Sequence, residues 1–353
     1  MKFFHNIYIA SLVLLLSIGI FGYSIYNYYF SSISNDNSIN TLVIEPGTID
    51  DIGESLEKNG YIRSKLAFKL YIKLTGKSNL KAGTYNLSKN MNISQLVDIL
   101  NKGGTCGDVV KITFKEGLNI RQIASIIEEN TNNKKEDVYN LISDQKYLNS
   151  LIDKYWFICD DILNIDIYYA LEGYLYPSTY HYCTKDVSVE LIFKSMLDEM
   201  SKQLENYKEE IINSKYDLHE LLTIASIVEL EGTNLENRKG ISRVFYNRLD
   251  KGMSLGSDVT TYYGLRLNVG EIYHNNLDLN TCNNYNTRCS SFTKLPISPI
   301  CNPSIESIIA TLNPDTSKYY YFVADKNGKI YFGKNLSEHN NIIARLKNKG
   351  LWY

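Results

Sequence analysis

The sequence predicts an α+β fold in three parts: an N-terminal transmembrane helix, a small α+β module and a larger mixed α+β domain. Three observations carry this. One uncharged apolar run stands near the N-terminus. Two similar strand–turn–helix units follow about 70 residues apart, and beyond them helical apolar spacing alternates with short β-rich runs.

The apolar run comes first. No Asp, Glu, Lys or Arg lies between Lys2 and Asp36, and residues 7–26 within that gap are twenty in number. At 1.5 Å per residue that crosses a hydrocarbon core of about 30 Å. Tyr23, Tyr26, Tyr28 and Tyr29 crowd its far end, where an interfacial aromatic belt sits. A cleaved signal peptide is the alternative, but no A-x-A site and no lipobox Cys follows, which favours an uncleaved anchor. Residues 1–30 are then a cytoplasmic tip and signal anchor, with the amino terminus inside and everything from about Ser31 outside the membrane. Residues 31–40 form a polar tether.

Composition bounds the rest. With 44% hydrophobic, 12% aromatic and 22% charged residues the chain is globular, neither disordered nor a multi-span membrane protein. A net charge of −2 and an isoelectric point near 6.3 leave no dominant basic surface, so no nucleic-acid partner is expected. The cysteines are Cys106, Cys159, Cys183, Cys282, Cys289 and Cys301. None has zinc-site spacing, so no metal and no cofactor is expected. Outside the membrane Cys282 and Cys289 can close a short loop, although free, partly buried thiols are an equal reading.

The first module covers residues 41–105. A strand at 41–44 turns at Pro46-Gly47 into a helix capped by Thr48, with Asp50 and Asp51 on its positive first turn and Gly60 at its stop. A helix over 66–74, a strand over 83–87 and a helix from near Ser94 to Gly103 complete it. The second unit repeats the pattern: a strand at 109–114, a turn at Glu116-Gly117, and a helix carrying Ile120, Ile123, Ile126 and Ile127. Further on, residues 187–207 are amphipathic, 217–230 form a strongly apolar helix, and 238–250 another helix ending at Gly252. Residues 253–304 read as irregular, and a loop region of that length is usually functional. A hairpin over 319–333 and a helix from Ser337 close the domain, leaving 347–353 as a tail.

Chemistry concentrates in two stretches. In LLTIASIVELEG (221–232), Glu229 ends an apolar helix and stacks over Ala225, Ser226 and Leu222. Those small side chains suggest room for a substrate, and a partly desolvated carboxylate there suits general-acid work. On this stretch alone a solvated helix end is the commoner reading. In ALEGYLYPSTY (170–180), Glu172 stands beside Gly173, Tyr174, Tyr176 and Pro177, a setting that suits sugar stacking or, more often, a rigid aromatic turn. His219-Glu220 is followed by Leu221, Leu222 and Thr223, so H-E-x-x-H is absent, as are G-x-S-x-G, a P-loop and G-x-G-x-x-G.

These two runs are followed by RKGISRVFYNRLDKGMSLGSD (238–258), Tyr285-Asn286-Thr287, LPISPICNPS (295–304), YYYFVADKNGKIYF (319–332) and SEHN (337–340). In this order they resemble the endolytic murein transglycosylase family (MltG, YceG-like). The front module, with LKAGTY at 80–85, is similar to that family's LysM-like region, and residues 106–346 to its catalytic region. The resemblance implies that Glu229 is the catalytic acid and base, with Glu231, Arg238 and Asn247-Arg248-Leu249 matching family positions. It implies lytic cleavage of glycan between N-acetylmuramic acid and N-acetylglucosamine, leaving 1,6-anhydro ends and limiting new strand length. Implied partners are peptidoglycan glycan strands, membrane-bound cell-wall synthases (penicillin-binding proteins) and the membrane itself. Candidate substrate-binding residues are Glu172, Tyr174, Glu231, Asn247, Asp258, Tyr285, Asn286 and Asn302. Departures from the family pattern stand at Gly256, Val259, Arg288, Ile297, Ser298 and Ser304.

Overall fold

The computed structural model describes residues 2–104, 110–272, 278–279, 281–289 and 291–352, with side chains from residue 16 onward. The fold is mixed α+β: among the described residues helices dominate and three two-stranded sheets stand among them. The described chain divides into two compact units, one formed by residues 1–111 with 181–187 and the other by 112–180 with 188–353.

The first unit begins with α1 (Lys2–Phe30). Half of the expected membrane span falls on residues 2–15, whose side chains lie outside the described residues. Among the described residues no helix is long and apolar enough to cross a membrane. The stretch after α1 is tied down rather than loose: Arg63 donates to the carbonyls of Tyr28, Ser31, Ser32 and Ile33. β1 (Ile39–Ile44) follows, then α2 (Ile49–Lys58) and α3 (Lys65–Thr75), then β2 (Gly83–Ser88) and α4 (Ile93–Lys102). β1 and β2 pair antiparallel from Ile39↔Ser88 to Ile44↔Gly83. Thr48 with Asp51 and Asn92 with Gln95 form capping boxes on α2 and α4, satisfying amides that helix starts leave unpaired. Ile44, Leu56, Phe68, Leu87, Leu96 and Leu100 are fully buried between the sheet and its helices.

β3 (Val110–Thr113) pairs with β4 (Thr179–Tyr182). In the second unit α5 (Ile120–Asn130), α6 (Lys135–Ser143) and α7 (Gln145–Lys154) precede α8 (Val189–Leu204) and the short α9 (Lys208–Ile212). The centre is α10 (Leu218–Glu231), flanked by α11 (Leu235–Asp250), α12 (Asp258–Gly264) and α13 (Ile305–Leu312). Leu221 through Val228 of α10 are all buried, which is why its sequence is apolar on every face. The hairpin β5 (Tyr321–Ala324) and β6 (Ile330–Gly333) is closed by Asp325, whose Oδ1 accepts from the amides of Asn327 and Lys329. α14 (Leu336–Asn348) ends the fold.

Two differences from the sequence reading stand out. The stretch over 253–304 is not wholly irregular, because α12 lies within it, buried throughout from Val259 to Gly264. The repeat of strand–turn–helix units is present at both places, yet only Gly117 of the two turn glycines has a left-handed backbone, φ +78°.

Candidate active site

The site grows from the C-terminal end of α10. Asp217 and Glu220 cap the start of that helix reciprocally, and Gly232 ends it, so Glu229 sits in the last turn. Its side chain is 6% exposed. Around it are donors: Arg238 Nη2, from the first turns of α11, reaches Oε1 at 2.8 Å. The Ser304 amide at 2.9 Å, Ser304 Oγ at 2.5 Å and Ser307 Oγ at 2.7 Å all reach Oε2. Ser304 is the N-cap of α13, so the carboxylate also lies at the positive end of that helix. Arg238 is held in turn by Glu306 Oε2 at 2.9 Å and by the Gly232 carbonyl. Gly117 borders the same carboxylate, within 3.8 Å of Glu229 Cγ for a Cβ built on it.

The expectation that Ala225 and Ser226 leave room for a substrate is corrected. Both are fully buried, and the segment 298–304 lies against Ser226: the Ile300 amide donates to Ser226 Oγ at 3.0 Å and Cys301 Sγ to the Ser226 carbonyl at 3.2 Å. That small side chain admits the protein's own backbone.

Glu172 is 1% exposed. The Ile120 amide lies 3.1 Å from each carboxyl oxygen, and Tyr263 Oη and Asn302 Nδ2 donate at 3.0 and 3.2 Å. Desolvation nevertheless dominates and pushes its carboxyl up to about 8. Asn302 is a hub. Its Oδ1 accepts from the amides of Gly173 and Leu175, its Nδ2 donates to Leu118 O and Glu172, and its backbone bonds both Gly117 and Leu118. Gly173 is required here: its φ is +89°, and a Cβ would stand 2.4 Å from Pro299.

Tyr174 and Tyr285, expected to meet sugar, are fully buried with their hydroxyls bonded to protein. Tyr174 Oη donates to Nδ1 of His219, whose Nε2 faces the Ile297 carbonyl and therefore carries the ring proton. Tyr285 Oη bonds Ser298 Oγ and accepts from the Tyr168 amide. Asn286 bridges Thr261, Arg288 and the carbonyls of Leu279 and Thr281. Asn247 grips Arg243 and the carbonyls of Ser317 and Tyr319, about 13 Å along α11 from Arg238. Burial explains all five, Asn302 included: these side chains hold loops together and do not face an open cleft.

Glu231, two residues on from Glu229, and Asp258 are only part-buried and face each other's partners. Ser257 Oγ donates to Glu231 at 2.6 Å, and Arg288 Nε to Asp258 at 2.5 Å. Burial raises the Glu231 carboxyl and the Asp258 charge adds to it, against Ser257 and Arg288. Tyr285, Asn286 and Thr287 lie inside the loop closed by the Cys282–Cys289 disulfide. Cys159 and Cys301 are free thiols, and Cys183 is disulfide-bonded. Cys106 lies outside the described residues. Among the described residues no group of three or more His, Cys, Asp or Glu side chains is placed to hold a metal ion.

A half-open cavity of about 400 Å³ lies elsewhere, lined by Tyr216, Arg243, Tyr246, Asp250 and Thr311. It contains none of these carboxylates, and chemistry rather than volume identifies the site. Sequence reasoning named Ser304 only as a departure from the family pattern and passed over Ser307. Their signal was a Ser-x-x-Ser pair opening an apolar helix.

The profile of the YceG-like family matches residues 42–345. The chain belongs to that family. It is 36% identical over 304 residues to a Bacillus subtilis (strain 168) protein named endolytic murein transglycosylase, covering 86% of this chain and 83% of that one. A Streptococcus pneumoniae (serotype 2, strain D39) protein of the same name is 32% identical over 97% of this chain, which spans 65% of that relative's length. The crystal structure of a yceG-like protein from Listeria monocytogenes superposes with a TM-score of 0.62 at 37% identity, covering 86% of this chain and 100% of that one. The matched range includes Glu229 and every donor around it.

Proposed function

We propose that the protein is an endolytic murein transglycosylase in which Glu229 serves first as acid and then as base. The observation that carries this reading is the nearly buried, donor-caged carboxylate of Glu229 in the last turn of α10, in a chain whose relatives bear that name. Protonated Glu229 gives its proton to the glycosidic oxygen as the C1–O bond breaks, the electron pair leaving with that oxygen. The carboxylate then takes the proton of the C6 hydroxyl as O6 bonds to C1, closing the 1,6-anhydro ring. One carboxylate suffices, whereas hydrolysis needs a water and usually two. Arg238 stabilises the negative charge after the first transfer. Glu231 and Asp258, part-buried and paired with Ser257 and Arg288, are the remaining candidates for substrate hydroxyls. Glu172, Tyr174, Asn247, Tyr285, Asn286 and Asn302 act by positioning loops.

The wider reading rests on the sequence. Residues 7–26 anchor the chain with the amino terminus in the cytoplasm, residues 41–105 form a LysM-like wall-binding module, and cleavage outside the membrane limits glycan elongation beside membrane-bound synthases. Mass spectrometry of muropeptides tests the chemistry, with purified glycan strands, the full chain in detergent, and Glu229→Gln as control. Anhydro-muramyl ends dependent on Glu229 support it. Reducing ends mean a muramidase, and binding without cleavage means a wall-binding relative that lacks the reaction. Membrane fractionation, with and without residues 1–30, tests the anchor.

A further inference from the structure

The two oxygens of Glu229 are not equivalent. A carboxylate oxygen offers about two lone pairs. Oε2 takes three donors: the Ser304 amide, Ser304 Oγ and Ser307 Oγ. Oε1 takes one, Arg238 Nη2, and Arg238 is also drawn to Glu306 and to the Gly232 carbonyl. The Ser304 amide is fixed in the backbone at the start of α13 and cannot turn to accept a proton.

We infer that Ser304 and Ser307 are positioning residues that saturate Oε2 and so make Oε1 the atom that delivers and retrieves the proton. This rests on the transglycosylase reading above and adds which oxygen works and what selects it. The scissile oxygen, and later the C6 hydroxyl, then approach on the Arg238 side of the carboxylate. The charged groups facing Glu229 are Arg238 from α11 and Glu306 behind it on α13, with the Cys301 thiol on the 298–304 segment.

The discriminating variants are Ser304→Gly, which keeps the amide and an acceptable helix N-cap while removing the hydroxyl, and Ser304→Thr, which restores a hydroxyl. Ser307→Ala is the companion. With glycan strands and anhydro-end counting, Ser304→Gly should lower kcat about tenfold with KM little changed, the size expected for a lost donor to a charged group. Ser307→Ala should lower kcat in the same way, and Ser304→Thr should return it towards wild type. Wild-type kcat in Ser304→Gly overturns the inference. So does a loss that appears only as a lower unfolding midpoint, or one that Thr does not rescue. In all three outcomes the wild type still makes anhydro ends and the functional reading stands. A wild type that makes none removes that reading and this inference together.

Discussion

Glu172 offers a measurable consequence of burying an acid. Its carboxyl rises from 4.5 to about 8 because it is desolvated. The native state therefore holds a proton between those values that the unfolded chain releases, so stability from this group is fully present below about 4.5 and is lost as pH rises through about 8. The gap, at 1.36 kcal/mol per pH unit, sets a ceiling of roughly 5 kcal/mol, and native relaxation brings the expected change to about 2–4 kcal/mol. Glu172→Gln removes the titration and keeps the shape. The amide oxygen can accept from Ile120 and Asn302, and the Tyr263 hydroxyl can turn to accept from the new NH₂. The assay is urea unfolding of both proteins from pH 5 to 9 at fixed ionic strength, followed by tryptophan fluorescence. Trp156 and Trp352 are the only tryptophans and both lie in the second unit, so the signal reports on the unit that holds Glu172. Subtracting the variant cancels Glu231, which shifts in the same direction. Wild type should lose stability relative to the variant by about 2–4 kcal/mol between pH 5 and 9. Parallel curves would refute the argument.

Three further outcomes are expected. Asn302→Ala leaves the amides of Gly173 and Leu175 without their buried acceptor, and should cost at least about 3 kcal/mol in the same unfolding assay. Replacing both Cys282 and Cys289 by Ser opens a loop of sequence separation 7, and chain entropy sets the loss at about 2 kcal/mol, read as a lower urea midpoint. Gly256→Ala places a side chain at φ +64° with its Cβ 2.9 Å from Arg248 Nη1, and should destabilise by about 1–2 kcal/mol.

The sequence made the helices and their ends legible where local chemistry decides them. Thr48, Asp217 and the turn at Asp325–Gly328 act as their residue types suggest. Glu229 stood out through the order of the motifs around it, since on its own stretch a solvated helix end is the commoner reading. What surrounds it did not. Whether Ser226 faces a substrate or the protein's own backbone depends on where residues 298–304 fold back, a contact 74 positions away in sequence. The same non-locality buries Tyr174, Asn247, Tyr285, Asn286 and Asn302 among partners that their own stretches do not announce. A buried polar side chain with internal partners and an exposed one that meets a sugar carry the same letter. α12 was missed because seven residues give too short a period to detect, and its helix is fixed by burial against the rest of the unit.

The covering of α10 along its small-residue side bears on how a polymer is met. Glu229 lies in the last turn of α10, its side chain 6% exposed, so on the proposed reading a glycan strand meets it from beyond the end of the helix and not along the covered flank.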